Sequence, residues 1–227
     1  MERRKDPTDE GPGPYKGPME LVYSETRARR ESEELSDREL ALAARSGDML
    51  SFEALVVRKT PAVLSVARRI VPNPEDARDV AQMVFLRVWE QLDRYDEQYS
   101  FNTWIYRIAT NLAIDFLRSA RSRERAHGAT LHLVRQREEA TGSDASRPAE
   151  DGEVARLFRQ ASERLTGKQK AAFVLREMED KDTSEIAAIL GCGESTVRNH
   201  LFNARRILRR EIQKICPGFF GPAGEPR

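Results

Sequence analysis

The chain has 227 residues, 39% hydrophobic and 33% charged, with a formal net charge of +1. No uninterrupted apolar run exceeds five residues (171–175 and 186–190, for example), far below the ~20 that a membrane-spanning helix needs, and residues 1–6 are not followed by the apolar stretch of a secretory signal. Two cysteines, Cys192 and Cys216, cannot build a disulfide framework or a four-ligand zinc site, so a reducing cytoplasm is the expected location.

Residues 1–34 read as a disordered tail, with Pro7, Gly11, Pro12, Gly13, Pro14, Gly17 and Pro18 among charges of both signs. Order is expected from Ser36, where Ser36 and Glu39 form a capping box. Helical segments follow at about 37–46, 51–59 and 62–71. Asn73-Pro74 is a helix start, because asparagine caps and proline tolerates the first helical position. The helix over 74–93 carries Ala77, Val80, Ala81, Val84, Phe85, Val88, Trp89 and Leu92 at intervals of three and four. A further helix over 102–121 places Trp104, Ile105, Ile108, Ala109, Leu112, Phe116 and Leu117 on one stripe. No stretch alternates as a strand would, so the expected fold class is all-α.

From 126 to 152 the periodicity fails, and residues 138–153 hold six acids against Arg147. This predicts a flexible acidic linker between a helical domain at 35–125 and a second at 153–216, with a short tail at 217–227. In the second domain, Thr166/Gln169 and Asp182/Glu185 are capping-box-like pairs.

Three constellations carry chemistry. The first is 182–210, where a helix at Thr183–Leu190 ends at Gly191. The turn Gly191-Cys192-Gly193 follows, and Val197 and Leu201 come six and ten residues after Gly191. That is helix-turn-helix spacing: Ala187 permits close crossing, glycine permits the turn, and Val197 packs the second helix onto the first. The second helix presents Ser195, Thr196, Arg198, Asn199, His200, Asn203, Arg205 and Arg206, a face suited to base edges and phosphates. A solvated face of an ordinary helical hairpin is the alternative. The abundance of arginine, 31 of the 38 basic residues, suits phosphate and guanine, although a coding bias gives the same count.

The second constellation gathers Tyr99, Phe101, Trp104 and Tyr106 beside Arg107, Asn111, Asp115, Arg118 and the arginines of 121–125. Rings stack on unpaired bases while phosphates follow the charge. Phe101 and Trp104 equally suit a core, and 121–125 equally suits a solvated linker start. The third is the polar side of the 74–93 helix, with Asp76, Asp79, Gln82, Met83 and Leu86, which is either a docking face or ordinary surface. Neither a Gly-rich phosphate loop, nor a nucleophile elbow, nor a metal-ligand pairing among His127, His132, His200 and the cysteines is present, so no enzyme, cofactor or metal is expected.

The segment Phe101-x-x-Trp104-Ile105-Tyr106-Arg107-Ile108-Ala109-Thr110-Asn111 with Asp115-x-x-Arg118 resembles the promoter-melting segment of bacterial sigma factors. Asp76-x-x-Asp79-Val80-Ala81-Gln82-x-x-Phe85-Leu86-x-Val88-Trp89 resembles their polymerase-docking helix. Ile186-Ala187-x-x-Leu190-Gly191 with Ser195-Thr196-Val197-Arg198 and Ala204-Arg205 resembles their C-terminal helix-turn-helix. Order and separation are similar to the extracytoplasmic-function group of the sigma-70 family. The resemblance implies a region 2-like domain at 35–125 and a region 4-like domain at 153–216.

The same resemblance implies roles. Asp76, Asp79, Gln82, Phe85, Leu86 and Trp89 would engage core RNA polymerase at the β′ clamp helices, with the β flap as a second contact of the polymerase. Phe101, Asn102, Thr103, Trp104, Tyr106, Arg107, Thr110, Asn111, Asp115 and Arg118 would read and open the minus-ten element. Ser195, Thr196, Arg198, Asn199, His200, Asn203, Arg205 and Arg206 would read the minus-thirty-five element. Partners would be core polymerase and promoter DNA, with an anti-sigma factor as a third that such proteins can have. His200 and Asn203 stand where relatives often carry arginine, Met83 where an acid is common, and Gly193 where a serine cap is frequent. A self-standing helix-turn-helix regulator is the rival; an enzyme acting on nucleic acid would need a metal or nucleophile cluster.

Overall fold

The computed structural model describes residues 34–127 and 153–219. The expected tail at 1–34 (except Glu34) and the expected linker from residue 128 to 152 lie outside the described residues. The described residues form eight α-helices and no strand. We label them α1 (Asp37–Arg45), α2 (Met49–Ile70), α3 (Pro74–Glu90), α4 (Phe101–His127), α5 (Glu153–Ala161), α6 (Gly167–Glu177), α7 (Thr183–Leu190) and α8 (Glu194–Ile215). The chain divides into two compact units, one up to Leu55 and one from Val56.

In the first unit the Ser36 box forms as expected: Ser36 Oγ accepts from Glu39 N at 3.3 Å and Glu39 Oε2 accepts from Ser36 N at 2.8 Å. α1 then buries Leu40, Ala41 and Ala44. Asp48 caps the next helix, its carboxylate accepting from Leu50 N at 3.1 Å and from the Ser51 hydroxyl at 2.6 Å.

One expectation needs correction. Separate helices at 51–59 and 62–71 are instead the single α2, with Pro61 inside it. Proline at 61 removes one bond, to the Val57 carbonyl, and crowds that carbonyl. Pro61 and Val57 are both exposed, so the defect sits on the solvent side, where water can solvate the freed group. On the other side Val63, Val66, Ala67 and Ile70 are buried and hold the helix in place.

In the second unit Asn73 caps α3, its side chain accepting from Glu75 N at 2.8 Å and Asp76 N at 3.4 Å. The apolar stripe Ala77, Val80, Ala81, Val84 and Val88 is buried, and α3 packs against α4. α3 stops at Glu90, short of the expected 93, and a 3-10 turn covers Leu92–Arg94. α4 begins one residue earlier than expected and continues to His127, beyond the expected 121. It also packs against α6 and α7.

The C-terminal helices assemble on α8. Ala161, Leu165, Ala204 and Leu208 form a buried cluster flanked by Phe158, Phe173, Ile207 and Ile212. Both expected capping boxes form, Thr166 with Gln169 and Asp182 with Glu185. α7 ends at Gly191 (φ 61°), a left-handed position that glycine adopts without Cβ strain. α8 then buries Val197 and Leu201, giving the expected helix-turn-helix. Between α6 and α7, Asp180 also has a positive φ, 49°.

Candidate nucleic-acid and polymerase interfaces

α3 turns its stripe of small and branched residues inward, so residues on the opposite side of the helix face solvent. Asp79 and Gln82 are exposed, as are Met83 (47%), Leu86 (58%) and Trp89 (42%). Asp76 and Phe85 are half-buried. Asp79, Gln82, Leu86 and Trp89 therefore share the exposed face, with Asp76 and Phe85 at its two margins. It is an apolar ridge, Met83-Leu86-Trp89, preceded by two acids in the first turns. Exposure of three large apolar side chains in a row is unfavourable unless something covers them.

On α4 the expected minus-ten residues separate into two groups. Phe101 is 2% exposed, with Tyr95 edge-on at 5.6 Å and Trp104 at 5.7 Å. Trp104 is half-buried and also 5.3 Å from Tyr95. Asn102 accepts from the buried Lys59 ammonium at 2.7 Å, and Thr103 pairs with Ser100 at the start of the helix. Thr110 is fully buried, its hydroxyl returned to the Tyr106 carbonyl at 2.8 Å. Arg107, Asn111, Asp115 and Arg118 are exposed, with Arg118 3.2 Å from Asp115. So α4 exposes a polar, partly cationic strip with Trp104 at its edge, while Phe101, Tyr106 and Thr110 face inward.

Tyr106 is held by residues that the sequence did not single out. Its hydroxyl donates to Glu179 at 2.8 Å, and Lys181 lies 5.5 Å over its ring. Burial, then the Glu179 carboxylate, pushes the phenol above its ordinary pKa. Glu179 also accepts from the Ser65 hydroxyl at 3.0 Å and pairs with Arg69 at 2.5 Å. Arg121, read as part of an arginine track or a linker start, donates to the carbonyls of Glu163 and Leu165, both at 3.0 Å.

On α8 Val197, Leu201, Ala204 and Leu208 form the buried stripe, and the opposite face is turned to solvent. Ser195, Thr196, Arg198, Asn199, Arg205 and Arg206 are exposed, and Asn203 is half-buried. Several are already engaged: Arg198 with Glu194 at 3.1 Å, Arg205 with Glu177 at 2.5 Å, and Asn203 with Asn199 at 2.8 Å. Arg206 donates to Asn203 at 3.3 Å. Arg198, Asn203 and Arg206 are paired within α8, whereas Arg205 reaches across to the end of α6. His200 is half-buried in a cleft of about 510 Å³ beside Arg118, Arg121 and Lys168. Burial, and then Lys168, lowers its pKa, so at neutral pH it reads as a neutral imidazole. Sequence reasoning passed over Phe202, which is 64% exposed on this surface. The signal was available: Phe202 falls off the stripe of every third or fourth residue that α8 buries.

Among the described residues no helix is long and apolar enough to cross a membrane, and no group of three or more His, Cys, Asp or Glu could hold a metal ion.

Residues 55–123 match Sigma-70 region 2, and residues 155–208 match Sigma-70, region 4. The chain is similar to the ECF RNA polymerase sigma-E factor of Escherichia coli K12, 32% identical over 189 residues, 81% of this chain and 98% of that protein. It is also similar to the RNA polymerase sigma-H factor of Pseudomonas aeruginosa, 28% identical over 79% of this chain and 95% of that one. Among solved structures, CnrH in complex with the cytosolic domain of CnrY superposes with a TM-score of 0.58 at 27% identity, covering 78% of this chain and 97% of that one. The sigma factor RpoE in complex with the anti-sigma factor NepR from Bartonella quintana shares the fold, with a TM-score of 0.54 at 22% identity, over 71% and 96% of the two chains. The chain belongs to the extracytoplasmic-function sigma factors of the sigma-70 family.

Proposed function

We propose that this chain is a non-catalytic specificity subunit that brings core RNA polymerase to promoters carrying minus-thirty-five and minus-ten elements and helps to open the DNA. Residues 35–125 act as one functional domain and 153–216 as the other. The observation that carries the reading is the co-occurrence, in one chain and in family order, of three exposed faces. These are the Met83-Leu86-Trp89 ridge behind Asp76 and Asp79, the Arg107-Asn111-Arg118 strip, and the polar face of α8 from Ser195 to Arg206. The α3 ridge, with Gln82 and Phe85, engages the polymerase β′ clamp helices, and the C-terminal domain engages the β flap. The α8 face enters the major groove, where Arg and Asn discriminate base pairs by paired donors and acceptors. Trp104, with Asn102, Thr103 and the exposed polar residues of α4, meets the minus-ten strand. Two relatives of this fold are solved as complexes, one with an anti-sigma factor, and a protein inhibitor of that kind is a partner we assign here as well.

Energetics favour a subunit over a free-standing DNA binder. Opening about ten base steps costs roughly 14 kcal/mol at ~1.4 kcal/mol per step. Stacking of two captured bases returns only ~2–6 kcal/mol. The remainder comes from a polymerase with its own DNA contacts, so the site of action is the cytoplasm. Run-off transcription with purified core polymerase on fragmented genomic DNA tests this: discrete new starts sharing two upstream boxes support it. Duplex binding without any effect on polymerase would replace it with a self-standing helix-turn-helix regulator.

A further inference from the structure

We propose that Lys59 is a positioning residue for minus-ten recognition: it fixes the Asn102 carboxamide with its N–H groups outward, so that this side chain discriminates against adenine. The inference rests on the reading of α4 as the helix that meets the minus-ten strand.

The backbone at Asn102 is set by its neighbours. Ser100 caps α4, its hydroxyl accepting from Thr103 N at 3.1 Å, and the Ser100 carbonyl takes the first helical bond from Trp104 N at 3.1 Å. Phe101, the preceding residue, is 2% exposed and packs on Tyr95 and Trp104. What is left to choose is the direction of the amide, and Lys59 settles it. Lys59 projects from α2, 43 residues earlier in the chain, and donates to Asn102 Oδ1 at 2.7 Å. It is itself buried, at 9% exposure. An ammonium has three donors and no acceptor, so only the oxygen of the amide can face it and the nitrogen must turn away. Among the described residues Asn102 makes no other side-chain hydrogen bond, and no buried side-chain nitrogen or oxygen lacks a partner, so Nδ2 reaches solvent.

This orientation changes what the residue can read. A free asparagine recognises adenine with both ends of its amide, the oxygen accepting from N6 and the nitrogen donating to N7. With its oxygen committed to Lys59, Asn102 offers donors alone. Donors suit O6 and N7 of guanine, or the O4 of thymine; against adenine they meet the N6 amino group, a donor facing a donor. Polar groups left unpaired in a closed contact are penalised, so the fixed amide rejects as much as it selects. Without Lys59 the amide is able to turn over and match either kind of edge.

A promoter library randomised through the minus-ten element, transcribed by core polymerase with the full-length chain, tests the proposal through the yield for each base at each position. With the unaltered chain, one position should disfavour adenine about fivefold or more, the lower end of what a wrong base costs. Lys59→Met keeps the stem and removes the donor; it should bring that preference to within about twofold and leave the other positions as they were. Asn102→Asp turns an oxygen outward and should reverse the preference at the same position, toward adenine. With oxygen at both ends nothing remains to be oriented, so adding Lys59→Met to Asn102→Asp should not change the preference again. A loss of transcript in Lys59→Met that is equal for all bases overturns the proposal and leaves Lys59 a packing role. An Asn102→Asp profile that matches the unaltered chain overturns it too, and this arm decides the matter by itself if Lys59→Met fails to fold. If the unaltered chain drives no promoter at all, the sigma reading has failed instead. The pairing is then judged by urea unfolding of Lys59→Met, Asn102→Ala and the double variant, where purely additive losses overturn it.

Discussion

Replacing Lys170 with methionine should stabilise this protein. Lys170 lies in α6 and is 3% exposed, deeper than almost any other charged side chain described. Burial, reinforced by the nearby Arg121, lowers its pKa from 10.5 to about 8, with Glu163 opposing and Arg159 adding to the effect. At about 1.36 kcal/mol for each tenfold change in proton affinity, the charged form is disfavoured in the fold by roughly 3 kcal/mol. Methionine keeps the unbranched stem and removes the ammonium, so we expect a gain of about 1–3 kcal/mol near neutral pH, reduced by the lost attraction to Glu163. The pH dependence carries the sign. Below about pH 8 both folded and unfolded chains hold the proton, and the penalty is complete. Between about 8 and 10.5 the unfolded chain binds more protons than the folded one, so wild-type stability rises with pH relative to the variant. Urea unfolding of both proteins at pH 7, 8.5 and 9.5, followed by circular dichroism, should show the gap between them closing. A less stable Lys170→Met, or a gap that stays constant across that range, would refute the argument from burial.

Other substitutions separate packing from recognition. Trp104→Ala removes a half-buried ring from the cluster with Tyr95 and Phe101, and should lower stability by about 1–3 kcal/mol in chemical unfolding. If Trp104 also meets the opened strand, promoter melting monitored by permanganate reactivity should fall more than closed-complex binding; equal losses would leave only the packing role. Arg198→Ala should cost about 1–3 kcal/mol in binding and relax one minus-thirty-five position if the side chain reads a base, whereas a uniform loss across sequences would make it a phosphate contact. Asp180→Ala places a Cβ-bearing residue without a local polar side chain at φ 49°, and should destabilise by about 1 kcal/mol, while Asp180→Gly should be neutral or better.

What was legible in the sequence was mostly local. Capping boxes at Ser36, Thr166 and Asp182 were readable because donor and acceptor lie three residues apart, and all three form. The helix-turn-helix was readable because Gly191, Val197 and Leu201 report the turn and the packing of its second helix. The break expected between 59 and 62 does not form, because a proline's tolerance depends on which side of the helix it occupies, and Pro61 lies on the exposed side of α2. The aromatic residues of α4 could not be assigned to core or DNA, since stacking on a base and packing on Tyr95 select the same ring. Phe101 turned out buried and Trp104 at the edge. Glu179 carried no signal at all, because its partners Tyr106, Arg69 and Ser65 lie 73 to 114 residues away. Lys170 was not singled out either, because its burial follows from the packing of α6 and not from its neighbours in sequence.

The central claim is that this chain gives core RNA polymerase a promoter preference. The direct measurement is run-off transcription with core polymerase on fragmented genomic DNA, with and without the protein, mapped to single-nucleotide starts. The account predicts new starts that share boxes near minus ten and minus thirty-five and that vanish when Asp79, Leu86 and Trp89 are replaced together by alanine, without loss of folding. Starts that do not change when the protein is added, although it binds core polymerase through α3, would contradict it.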